Sequence, residues 1–418
     1  MPFWAKYIII NQDILTTGKE GVMSDSSNSL YSEDELRFHC STANTPLTES
    51  SIRELISIVR AEINASASSY PKTVLEGIIS FLENHSFHEF AGRSDNFKKN
   101  SFATSELARS LSYHDASTRI KYLAYRYKFC QYPAQKILDH FPIVLVIEPT
   151  SICNLRCEMC WWSDKSFTSE RSHMGWMDFG LFKAVVDEAS EAGLCSMVFA
   201  GRGEPTLHPD FSKMVAYATQ KGIIDVKINT NATKLTDKMA RELLEAGPAL
   251  IVFSIDAHTK ESYEEIRRGA KFEEVTKNLK RFTELKKNVF PNSPTLSRVS
   301  MVVFKKSQDI EQAKVFWNGL ADEFASERAT ERLGIYESPL RPTENSPCSF
   351  LWERLYILWD GRINPCDEDY KSMLCLGKLD QDHAVRSIWL GEKLQKMRTD
   401  HLAKLKNNYS PCNRCCGF

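Results

Sequence analysis

The sequence predicts an α/β protein whose core is an open, parallel sheet, a partial (β/α)6 barrel rather than a closed eight-fold one. Two observations carry this. From residue 142 onward, strand-length apolar runs alternate with segments of helical periodicity. Short loops rich in Cys, Gly, Asn and Asp follow those runs, where open α/β sheets carry their sites. A third observation sets the flanks: neither the first 140 residues nor the stretch after 338 shows this alternation. The expected division is a mainly helical accessory region over 1–140, a core over 141–338 and a small C-terminal unit over 339–418.

In the first region, helical patterns cover 51–63, 73–83 and 117–141. The Ser/Asn-rich run 23–29 reads as a linker and the polar stretch 91–105 as a loop. No catalytic motif is visible there, and its role is unread. In the core, the strands expected are 142–147, 195–200, 224–230, 250–254, 296–303 and a sixth near 332–336. The helices between them are 178–189 with Asp178 as its cap, 211–221, 237–246, 272–287 and 310–320. In the last region, 354–358 and 362–364 flank Trp359-Asp360-Gly361, a hairpin signal, and one helix is expected over 385–405.

The bulk composition limits the function. The 418 residues are 42% hydrophobic and 26% charged, with a net charge of −1, so no global field recruits nucleic acid or an anionic membrane. No apolar run nears the roughly 20 residues of a membrane span. The short apolar run at 7–10 ends in Asn11, Gln12 and Asp13, unlike a signal peptide, so a cytoplasmic location is expected. The 12 cysteines are clustered, which in such a chain points to metal or redox chemistry rather than a disulfide framework.

The first cluster is Cys153-Asn154-Leu155-Arg156-Cys157-Glu158-Met159-Cys160, directly after the first strand. Three close thiolates suit three irons of a cubane and leave the fourth iron open to a ligand. Zinc, with a fourth ligand such as His173, is the alternative, which would make the chain a non-catalytic metal-binding protein. After the second strand comes Gly201-Arg202-Gly203-Glu204-Pro205, after the third Asn229-Thr230-Asn231, and after the fourth Ser254-Ile255-Asp256. Tyr263-Glu264-Glu265-Ile266-Arg267-Arg268-Gly269-Ala270 follows.

In this order the motifs resemble the radical S-adenosylmethionine (SAM) superfamily. The resemblance implies a [4Fe–4S] cluster on Cys153, Cys157 and Cys160, with SAM on the open iron. Reductive cleavage of SAM then yields a 5′-deoxyadenosyl radical that abstracts hydrogen from a substrate. Gly201, Gly203 and Glu204 correspond to a Gly-Gly-Glu-Pro motif facing the SAM ammonium, with Arg202 in place of a small residue. Asn229 and Ser254 correspond to positions near SAM, Ser254 toward the ribose, and Arg267 to a partner of the SAM carboxylate. A reductant such as flavodoxin or ferredoxin is implied.

The pattern Cys348-x12-Gly361-x4-Cys366, followed by Cys412-Asn413-Arg414-Cys415-Cys416, resembles the SPASM and twitch domains of that superfamily. This implies one auxiliary [4Fe–4S] cluster on Cys348, Cys366, Cys412 and Cys415, with Cys416 an alternative to Cys415. A structural zinc site is the other reading of four thiolates. An auxiliary cluster suits oxidation, whereas epimerisation needs a hydrogen donor, for which Cys375 is the motif-adjacent candidate. The expected reaction is dehydrogenation or epimerisation of a small hydroxylated molecule such as a sugar or aminocyclitol. The second expectation is maturation of a ribosomally made peptide whose leader is held by residues 1–140. Asp367, Glu368 and Asp369, just after Cys366, face either substrate or water.

Overall fold

A computed structural model describes residues 48–65, 68–83, 111, 113 and 115–415, except 306, 330–332, 342–345 and 381–383. The readings of 7–10, 23–29, 91–105 and Cys416 lie outside these residues.

The core follows from runs of buried apolar residues. Strands β1 (Val144–Ile147), β2 (Ser196–Phe199), β3 (Asp225–Thr230), β4 (Leu250–Ser254), β5 (Leu296–Val303) and β6 (Glu323–Arg328) pair in parallel, each with the next. β1 and β2 are buried at every position, as expected of strands covered on both faces. On one side lie the crossover helices. Phe182, Val185 and Val186 on one of these, residues Phe179–Glu191, pack with Leu145, Met197 and Phe199. Asp178 caps that helix as expected, its side chain accepting from the Leu181 N–H.

On the other side of β1 and β2 lies a helix from the N-terminal region. Counting along the chain, α1 is Glu49–Ile63, α2 is Lys72–Glu83 and α3 is Ala116–Gln135. Tyr122, Tyr125 and Phe129 of α3 pack with Val144, Val146, Val198 and Ala200. Burying side chains of this size stabilises by roughly 1.5–3 kcal/mol each. The same helix carries Ile120, Leu123 and Ala124 into a second cluster with α1 and α2. It ends at Gln135, before the expected residue 141, because Lys136 turns left-handed (φ 59°) just after Pro133.

The sixth strand is a correction. It lies at Glu323–Arg328, ahead of the expected 332–336. The strand is hard to read because charged residues punctuate it, and Glu323 is buried against Arg298 of β5 at 2.5 Å. Ile335 and Tyr336 instead sit in a turn against Trp161 and Tyr370.

The C-terminal hairpin forms as expected from β7 (Arg354–Ile357) and β8 (Arg362–Asn364), with Gly361 in the left-handed turn (φ 85°). β7 also pairs in parallel with β1, and β9 (Gly377–Lys378) adds to β8. The result is one nine-stranded sheet in the order β6-β5-β4-β3-β2-β1-β7-β8-β9. The expected single helix over 385–405 is two, Val385–Trp389 and Glu392–Leu402, separated at Gly391. Among the described residues, no helix is long and apolar enough to cross a membrane.

Candidate active site

The three-cysteine loop leaves β1 and docks on the segment after β4. The Arg156 N–H donates to Arg268 O at 2.9 Å and the Glu158 N–H to Ile266 O at 3.0 Å. Glu158 is further held by Arg268 (3.1 Å) and Lys305 (2.9 Å). Asn154 ties the loop to the end of β3, accepting from Asn231 Nδ2 and donating to Thr233 Oγ1.

One cavity collects the expected residues. It is lined by Cys153, Cys157 and Cys160, by Gly201, Gly203 and Glu204, and by Asn229, Ser254 and Arg267. Met159, Tyr356 and Asp367 also line it. Strand ends from β1 to β4 therefore meet where an open parallel sheet places a ligand. Gly203 is required by packing, since a Cβ there would lie 2.2 Å from Thr150 O and 2.5 Å from Ile152 O.

Glu204 is buried and held on both oxygens, by Thr206 and Thr230 on Oε1 and by the Asn231 N–H on Oε2. Burial raises its pKa and those hydrogen bonds oppose the rise. Burial, then the Glu204 charge, pushes Cys153 well up. Burial also raises Cys157, while the Arg267 guanidinium, with Nη1 3.9 Å from Sγ, favours its thiolate. Arg267 is itself paired with buried Asp256 at 2.8 Å. One end of its fork is thus occupied by a carboxylate of the chain, and Nη1 faces Cys157.

The donors present suit an iron–sulfur cluster together with SAM. Three thiols, a buried carboxylate and a guanidinium share the cavity. Asn229 Oδ1 is buried there with no protein partner, an acceptor set for a ligand N–H or O–H. The residues fit the pair.

The second cysteine group also comes together. Cys348, Cys366, Cys412 and Cys415 line a small pocket with Glu368, Lys406 and Pro411. Burial pushes Cys366 well up and Cys412 up to about 12, and the neighbouring thiols add to both. A single zinc ion would need its thiolates converging at about 2.3 Å. A cubane takes one thiolate per iron and spreads its ligands further apart.

Cys375 is the exception. It lines neither cavity, and its Sγ donates to Gly377 O at 3.2 Å. The structure does not bring it to the site expected of a hydrogen donor, because β9 holds it on the far side of the hairpin from β1.

Sequence reasoning missed a buried pair. Glu148, just after β1, grips Arg202 through Nε (2.8 Å), Nη2 (2.6 Å) and the backbone N–H (2.8 Å). Arg202 Nη1 donates to Tyr370 O, and the Arg202 carbonyl accepts from both Trp161 and Trp162. The arginine at the usually small motif position thus joins the turn, the cluster loop and the C-terminal region. The only sequence signal was its departure from the motif.

Comparison with known proteins agrees with this geometry. Residues 147–309 match the radical SAM superfamily and residues 348–416 an iron–sulfur cluster-binding domain of the SPASM type. The chain is 31% identical over 274 residues to the tungsten-containing aldehyde ferredoxin oxidoreductase cofactor-modifying protein of Pyrococcus furiosus, covering 53% of this chain and 70% of that one. It is 30% identical over 153 residues to the mycofactocin maturase MftC of Mycobacterium tuberculosis, covering 35% of this chain and 37% of that one. Among solved structures, Streptococcus suis SuiB bound to precursor peptide SuiA shares the fold, with a TM-score of 0.51 and 18% identity, covering 80% of this chain and 85% of that one. The chain belongs to the radical SAM superfamily, with a SAM-binding [4Fe–4S] cluster in its core and an auxiliary iron–sulfur cluster in the SPASM domain that follows.

Proposed function

We propose that this radical SAM enzyme dehydrogenates a small hydroxylated substrate, of the sugar or aminocyclitol type, and that Asp367 accepts the hydroxyl proton. One observation carries the reading: the cavity lined by Cys153, Cys157 and Cys160 is also lined by Asp367, the neighbour of the auxiliary ligand Cys366. Tyr356 donates to Asp367 Oδ1 at 3.3 Å, and burial, then the Asp367 charge, holds the phenol well above its usual pKa. The phenol therefore stays a donor and orients the carboxylate.

When bound, the core cluster with SAM supplies a hydrogen-abstracting radical, and the auxiliary cluster an acceptor for one electron. A secondary alcohol becomes a ketone by losing one hydrogen atom from carbon, one proton from oxygen and one electron. Asp367 receives the proton. Glu204, Asn229, Ser254 and Arg267, which line the same cavity, bind and orient the cofactor. Epimerisation is the weaker reading, because its candidate donor Cys375 lies outside the cavity.

The test is anaerobic turnover of the reconstituted enzyme with SAM and dithionite against a panel of cyclitols and sugars. Products lighter by two hydrogen atoms, one per 5′-deoxyadenosine released, are expected. Products of unchanged mass in ordinary water that gain one deuterium in heavy water would replace dehydrogenation with epimerisation. A second reading, peptide maturation, is favoured by the likeness to a mycofactocin maturase. In it, the N-terminal helices hold a leader, and turnover of peptides but of no cyclitol or sugar would establish it over the first.

A further inference from the structure

The pocket of the auxiliary cysteines contains more than thiols. Lys406 and Glu368 line it, and each is only 3% exposed. A lysine is rarely buried this far unless an opposite charge compensates it. Lys406 opens the short helical turn Lys406–Asn408, between the last helix and Cys412. Its charge favours the Cys412 thiolate. Buried His401 stands by the same cysteine set, its Nδ1 accepting the Cys348 N–H at 3.3 Å. Among the described residues that line the pocket, Lys406 is the basic side chain and Glu368 the acidic one.

A four-thiolate cluster becomes more negative when it takes an electron, and its potential follows the net charge around it. A unit charge within contact range of the cluster, at an effective dielectric of about 20, is worth a few kcal/mol. That exceeds a tenfold change in the reduction equilibrium. We infer that Lys406 sets the auxiliary cluster as an electron acceptor: its buried ammonium favours the reduced cluster, and the Glu368 carboxylate, which also lines the pocket, opposes it. The inference rests on the auxiliary cluster and is independent of which substrate the enzyme oxidises.

The experiment is a redox titration by electron paramagnetic resonance, without substrate, on the full-length chain carrying Cys153→Ala, Cys157→Ala and Cys160→Ala so that the auxiliary cluster alone is read. Lys406→Met should shift the midpoint to more negative potential by at least a tenfold change in equilibrium, 59 mV for one electron. Lys406→Arg should stay near the parent, and Glu368→Gln should shift the other way. Opposite shifts cannot arise from general loosening of the fold. An unchanged midpoint in Lys406→Met with iron content intact would overturn the inference, as would shifts of the same sign in Lys406→Met and Glu368→Gln. If Lys406→Met fails to hold iron, Glu368→Gln decides: a positive shift supports the inference and none overturns it. Absence of iron in the parent background would instead remove the auxiliary cluster itself.

Discussion

The two cysteine sites are built in opposite ways. Cys153, Cys157 and Cys160 come from one loop and stand in the wall of a wide cavity. Cys348, Cys366, Cys412 and Cys415 come from three separate stretches and line a small pocket walled by the hairpin and the last turns. A local triad leaves a coordination position for a ligand, whereas four thiols from three converging stretches close the site around the cluster. The first arrangement suits binding SAM and the second suits passing an electron. The two are tied together by Arg202, which reaches Glu148 in the core and Tyr370 O in the C-terminal region, while Tyr370 stacks on Trp161 beside Cys160.

That contrast is easiest to break at the cysteines. Replacing Cys153, Cys157 and Cys160 together by Ala should abolish 5′-deoxyadenosine formation and leave about four of about eight irons, as two cubanes require. Iron and sulfide analysis checks this, and a loss of all iron would show that the auxiliary site does not stand alone. The reverse variant, Cys348→Ser with Cys412→Ser, should keep SAM cleavage and lose substrate oxidation. Liquid chromatography of both products separates the two outcomes.

The link between the sites is sharpened by smaller changes. Asp367→Asn should lower ketone formation by about 10²–10⁴, the range of a general base, while 5′-deoxyadenosine release persists. Equal loss of both products would place Asp367 in SAM binding instead. Arg202→Met strands the buried Glu148 carboxylate and should cost about 3–5 kcal/mol in denaturant unfolding, with part recovered by adding Glu148→Gln. The smallest effect is expected at Cys375→Ala, within about 0.5 kcal/mol of the parent. A specific loss of turnover there, with both clusters intact, would restore the thiol as a hydrogen donor.

Much of the site was legible because its residues sit in short motifs placed just after apolar strands. The loop cysteines, Gly203, Glu204, Asn229 and Ser254 were found that way, and the structure brings them to one cavity. Arg267 was found too, although its pairing with Asp256 was not. Asp367 was left between substrate and water, since one residue after a ligand says nothing of the direction its side chain takes. Glu148 and Arg202, 54 residues apart, carried no joint signal. The charged stretch at β6 misled for a related reason: Glu323 reads as surface, but Arg298 on the next strand neutralises it inside.

The sequence by itself determined most of the elements and the chemistry of the ligand sets, because helical and strand periodicity, caps and thiolate spacing are local properties. Only the tertiary structure decided that α3 covers β1 and β2, that β7 joins β1 in one sheet, and that Asp367 and the loop cysteines share a cavity. These depend on which buried faces and charges meet across long separations. An apolar face or a charged side chain announces that it needs a partner, but the partner is chosen by packing and desolvation in the folded chain.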